Sequence, residues 1–125
     1  CKIIYIKKSN NKNFIILDAG MNDMMRPALY GAHHEIVPLK KNKQQIIGSV
    51  EFVGPICESS DKFLTKKNFS KIKEGDFVAI TNVGAYGMSL TSNYNTRPIV
   101  AEIMVSGSKH KLIKKRQSLE NLINN

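Results

Sequence analysis

Short apolar runs, broken every few residues by polar, glycine and proline positions, dominate the chain. That is the punctuation of strands rather than of long helices. Residues 2–7 (KIIYIK) and 13–18 (NFIILD) flank the polar stretch 8–12, and the three together read as two strands and a hairpin loop. Residues 22–30 carry helical spacing with Pro27 inside it, which suits a short helix whose first turn holds the proline. Strands are predicted over 35–39 and 45–53, the second stopped by Gly54-Pro55. A turn at 72–76 leads into a strand over 77–81, and 84–87 (GAYG) reads as a glycine-flanked loop. Residues 98–105 and 109–115 form a predicted hairpin around Ser106-Gly107-Ser108. Ser118 is placed to cap a last helix with Leu119, Leu122 and Ile123 on one face. The expected fold is all-β, a small Greek-key barrel or sandwich with short helices.

With 125 residues and 42% hydrophobic content the chain suffices for one domain with a modest core, residues 1–125. It begins at Cys1 rather than methionine, which suggests a piece of a longer chain. No signal peptide or long apolar run indicates export or a membrane partner. Cys1 and Cys57 lie far apart without metal-ligand spacing, so buried or free thiols in a reducing cytoplasm are expected. The formal charge of +9 comes from 19 basic against 10 acidic residues, nearly all the bases being lysine. Such a balance suits nucleic acid. The lysines are scattered, however, in small groups such as Lys40-Lys41 and Lys66-Lys67, with no interleaved aromatic stripe.

Three polar loops interrupt the strand pattern with reactive residue types. In the first, Arg26 and Tyr30 stand four apart, so one helical turn puts them on one face where a guanidinium and a phenol can clamp a carboxylate. In the second, Cys57 precedes Glu58 just after a strand. A neighbouring anion tends to keep a thiol protonated, which suits a proton donor better than a nucleophile. In the third, Gly84 and Gly87 flank Tyr86, and glycines let amides approach a phosphate while the phenol adds a donor. Taken singly, the three loops read more simply as a solvated helix face, a buried-cysteine turn and a plain turn. His33-His34-Glu35 lacks the spacing of a two-histidine metal site, and on a strand the two rings point to opposite faces, so no metal is expected.

Taken together, DAGMNDMMRPALYGAHHEI (18–36), VGPICESSD (53–61), GAYGMSLTSNYNTRP (84–98) and AEIMV (101–105) resemble the diaminopimelate decarboxylases in order and spacing. The similarity runs over essentially the whole chain. That family is similar in layout to alanine racemases and eukaryotic ornithine decarboxylases. The resemblance implies a C-terminal β-domain like that of alanine racemase, separated from a (β/α)8 barrel whose lysine binds pyridoxal 5'-phosphate. It implies decarboxylation of meso-2,6-diaminopimelate to L-lysine and CO2, the last step of lysine biosynthesis, by a cytoplasmic homodimer with shared active sites. By position, Arg26 and Tyr30 resemble the substrate-binding pair, Cys57 the proton donor supplied across the dimer, and Glu58 the substrate-reading glutamate. Tyr86 resembles the tyrosine that touches both substrate and cofactor.

The residue types suit that chemistry. A distant amino-acid head needs a cation for its carboxylate and an anion for its ammonium, and Arg26 and Glu58 supply the two signs. Leaving either charge unpaired costs about 2–5 kcal/mol. Ornithine has no distal carboxylate, and its decarboxylases carry Asp where this chain has Glu58. Ser60 departs from the family's usual glycine, and at a positive φ it would cost about 1 kcal/mol. The competing readings are an ornithine- or arginine-type decarboxylase and a basic β-barrel that binds nucleic acid. Without the barrel, the isolated chain is expected to be inactive.

Overall fold

The computed structural model describes residues 1–10, 12–40, 42–46 and 48–124. The expected loop over 8–12, the strand over 45–53 and the lysine pair Lys40-Lys41 each include one residue outside that set: Asn11, Ile47 and Lys41.

Alternation builds the main sheet. β1 (Ile3–Lys8) and β2 (Lys12–Leu17) form the expected antiparallel hairpin, with Ile3, Ile15 and Leu17 fully buried. β4 (Ser49–Val53) lies parallel to β2 and antiparallel to β5 (Lys62–Lys67), giving the order β1-β2-β4-β5. Between them β3 (Ile36–Pro38) leaves to pair with β6 (Val78–Ile80). β6 rejoins the sheet at β1, where the Ile3 amide donates to the Asp76 carbonyl (2.8 Å) and the Val78 amide to that of Cys1 (2.9 Å). The strands thus surround one core of Ile3, Ile15, Leu17, Ile36, Val50 and Phe52, closed by Phe52 edge-on to Phe69 at 4.9 Å. Each such side chain contributes about 1.5–3 kcal/mol by leaving water.

The all-β reading with short helices holds, with local corrections. The strand expected from 45 begins at Ser49, because Gly48 sits at φ +96 and breaks the extended run. The helix expected over 22–30 is α1 (Arg26–Tyr30), with Pro27 in its first turn. Residues ahead of it form a turn on the Gly20 carbonyl, which accepts from the Asp23 and Met24 amides. β6 is shorter than the expected 77–81, and 98–101 is not strand. β7 (Glu102–Ser106) and β8 (Lys109–Lys114) make the expected hairpin, turning at Gly107 with φ +59. Ser118 Oγ accepts from the Asn121 amide and caps α3 (Leu119–Ile123) as expected. The strand β5 has no counterpart in the sequence reading.

Apolar side chains remain uncovered at one part of the fold. Ile103, Met104 and Val105 on β7, Leu112 and Ile113 on β8, and Leu119 and Ile123 on α3 are all exposed. No described helix is long and apolar enough to cross a membrane.

Candidate active site on three loops

The first loop carries the chain from β2 into α1. Asn22 is fully buried and Met24 packs into the core, so the two anchor the turn from inside. Pro27 fixes the first helical turn, and Gly31 ends it at φ +62, a left-handed position suited to glycine. Arg26 is half-buried at the helix start. Tyr30 is 67% exposed at its end and makes no bond to Arg26 among the described residues.

The second loop follows β4 and is organised by one carboxylate. Asp61 is 2% exposed; its Oδ2 accepts from the Ile56 amide (2.9 Å) and its Oδ1 from the Met21 amide (2.7 Å). The two oxygens therefore join the second loop to the first. Burial pushes the Asp61 carboxyl above its ordinary value, with the two amide donors opposing the shift. Gly54 makes room for this: a Cβ there would lie 2.1 Å from Asp61 Oδ2. Gly54→Ala is therefore expected to destabilise the protein by about 1–3 kcal/mol, read as a lower urea midpoint at unchanged slope. Cys57 and Glu58 stand exposed at the loop's tip, and Cys57 is a free thiol.

The third loop begins with α2 (Gly84–Gly87), a single helical turn rather than the open glycine loop expected. The Gly87 amide donates to the Val83 carbonyl (2.9 Å), so it is spent inside the turn and is not free to cradle a phosphate. The loop is tied to the first by Arg97. Its Nε donates to Asn22 Oδ1 (2.9 Å), one terminal nitrogen donates to the Asp18 carbonyl, and the Asp23 carboxylate lies 3.7 Å away.

Two pairs emerge from this scaffold. The Arg26 guanidinium sits 5.3 Å from the centre of the Tyr86 ring, a cation–π contact that aligns loops one and three. Arg26 Nε is buried with no acceptor among the described residues. The Tyr94 hydroxyl donates to Glu58 Oε1, which aligns loops two and three, and the carboxylate raises the phenol's pKa. Sequence reasoning assigned no role to Tyr94, Arg97, Asn22 or Asp61. The one signal was Arg97, one of three arginines in a lysine-rich chain, inside a motif already singled out.

Ser60 is not among the positive-φ residues, so the cost considered for it does not arise; its hydroxyl instead approaches Met21 Sδ at 3.6 Å. His34 is buried, with Nδ1 3.0 Å from the Thr81 carbonyl, while His33 is exposed beside Glu35 at 3.6 Å. The two residues precede β3 rather than lying on a strand, one ring buried and the other exposed, and no metal-binding group of three occurs among the described residues. Several lysines are engaged rather than free. Lys12 and Lys62 flank the buried Glu51, and Lys66 pairs with Glu35.

Residues 1–84 match the family model described as pyridoxal-dependent decarboxylase, C-terminal sheet domain. The chain is 48% identical over 122 residues to the diaminopimelate decarboxylase of Zymomonas mobilis subsp. mobilis, a match covering 98% of this chain and 28% of that protein. It is similar to the crystal structure of diaminopimelate decarboxylase from M. jannaschii in co-complex with L-lysine. There the TM-score is 0.91 at 39% identity, over 98% of this chain and 28% of that one. The Helicobacter pylori enzyme complexed with L-lysine gives a TM-score of 0.87 at 43% identity, over 98% and 30%. The chain thus spans less than a third of the length of these relatives. With two-thirds of its residues matched by the family model, and this sheet order and loop arrangement, the chain belongs to the pyridoxal-dependent decarboxylases, as their C-terminal sheet domain.

Proposed function

We propose that residues 1–125 are the C-terminal β-domain of a two-domain diaminopimelate decarboxylase, converting meso-2,6-diaminopimelate to L-lysine and CO2. The names of its relatives support that reaction, as does the Cys57-Glu58 order. The observation that carries the reading is Asp61. It ties the loop that leads to the guanidinium to the loop bearing a thiol and a carboxylate, so both signs of charge are offered on linked loops.

Arg26 binds the distal carboxylate of the substrate, with Tyr30 adding a donor as the substrate arrives. Glu58 takes the distal ammonium, and Cys57 Sγ holds the proton that returns to the substrate carbon after CO2 leaves. Pyridoxal phosphate, when bound, accepts the electrons that the departing CO2 leaves behind. The described residues fit one open side of such a group. Tyr86 is 62% exposed, its hydroxyl has no partner among the described residues, and Arg26 stiffens the ring from one face. The lysine that carries the cofactor belongs to a barrel domain outside these residues.

The exposed apolar side chains of β7, β8 and α3 support a second body packed against this one, since a two-stranded ribbon is marginal in water by itself. Cys57 and Glu58 project on an exposed tip, whereas Arg26 and Tyr86 lie on the other two loops. A homodimer in which each tip completes the partner's site fits that separation. A cytoplasmic location fits that reaction, a step of amino-acid biosynthesis.

The test is the full-length protein loaded with pyridoxal phosphate and offered meso-diaminopimelate, ornithine and arginine in turn. Efficient CO2 release from the first alone is expected. Comparable turnover of ornithine or arginine would move the assignment to a basic amino-acid decarboxylase.

A further inference from the structure

Tyr94 stands outside the substrate-reading positions named so far, yet it is the side chain bonded to Glu58 among the described residues. We propose that Tyr94 is a positioning residue for recognition of the substrate's distal ammonium, pinning Glu58 Oε1 so that Oε2 is presented to the ligand. The inference rests on the reading of Glu58 given above and adds a residue to it.

The backbone around Tyr94 is the first ground. Asn95 (φ 58) and Thr96 (φ 55) are consecutive left-handed residues without a glycine, and the second is β-branched. Such a pair is unfavourable and persists only where its surroundings over-determine it. Here they do. Asn93 Nδ2 donates to the Arg97 carbonyl (2.8 Å) and to Gln117 Oε1 (2.6 Å), bridging the bend. Arg97 then fastens its far end to Asn22 and to the Asp18 carbonyl.

The second ground is what that strain supports. Tyr94 is 45% exposed and Glu58 is also exposed, so their bond contributes little to folding. Stability does not explain an effortful backbone that ends in a solvent-facing bond; orientation of a carboxylate does. An unrestrained exposed glutamate samples many rotamers, each of which must be given up on binding. The phenol removes that cost beforehand. The same carboxylate raises the phenol's pKa, which favours its protonated, donating form.

The experiment uses the full-length, cofactor-loaded enzyme with Tyr94→Phe, Glu58→Ala and the double variant, assayed on meso-diaminopimelate. Tyr94→Phe is expected to raise KM about tenfold, the size of a bond to a charged acceptor, with kcat within about twofold. The melting temperature is expected to stay that of the parent. In the Glu58→Ala background the same substitution is expected to change nothing further. An unchanged KM for Tyr94→Phe beside an impaired Glu58→Ala would overturn the role of Tyr94 alone. Equal losses in both backgrounds with a lowered melting temperature would make Tyr94 merely structural, also overturning it. A silent Glu58→Ala would remove the reading of Glu58 itself, and this inference with it.

Discussion

Cys57→Ala in the full-length enzyme is expected to lower kcat for meso-diaminopimelate by about 10²–10⁴-fold, the usual contribution of a positioned proton donor. The thiol is exposed at the tip of its loop and lies outside the core cluster, so the fold should not register its loss. Surface changes of that kind shift stability by no more than about 0.5 kcal/mol. The two readouts therefore separate cleanly: a large fall in kcat at an unchanged melting temperature supports Cys57 as the acid. Unaltered kcat would show that another group or water returns the proton. A fall in both quantities together would mean that the thiol holds the loop in place instead.

The second large effect concerns selectivity. Arg26→Ala and Glu58→Ala each leave one end of a desolvated zwitterion unpaired, a loss of about 2–5 kcal/mol, or roughly 30- to 5,000-fold in kcat/KM. Both losses should fall on meso-diaminopimelate and largely spare a substrate lacking the matching distal group. Arg26 has a further attachment, because its guanidinium also lies against Tyr86. Lysine at that position keeps the charge but loses the planar fork and the flat stacking surface, so Arg26→Lys should recover only part of the selectivity. If the ratio of kcat/KM values for diaminopimelate and ornithine stays the same in Arg26→Ala, or if Glu58→Ala spares both of these substrates, each of which carries a distal ammonium, the two-signed recognition is wrong.

Much of this arrangement was legible because it is local. The hairpin of β1 and β2 follows from alternation on either side of a polar stretch. The proline of α1, its terminal Gly31 and the Ser118 cap are written in residue types whose backbone preferences are short-range. The three reactive loops were visible because polar and glycine residues interrupt strands. Other elements were illegible for a definite reason. β5 reads as lysine-rich surface, since only Phe63 is buried and Lys62 and Lys67 at its two ends are exposed. It becomes a strand by pairing with β4, a partner chosen by the fold. The glycines of 84–87 promised an open loop, but their φ values are ordinary and the segment closes as a helical turn.

The sequence by itself determined the element types, the turn positions and the chemistry on offer: a thiol beside a carboxylate, an arginine at a helix start and a tyrosine between glycines. Only the tertiary structure decided which of these meet. Asp61 reaches Met21 across 40 positions, Tyr94 reaches Glu58 across 36, and Arg97 reaches Asn22 across 75. Contacts of that span leave no periodic trace in the chain, because they depend on loops brought together by strands whose pairing order is not their sequence order. Local preferences fix what each segment can become, whereas burial of a shared core selects the neighbours it must have.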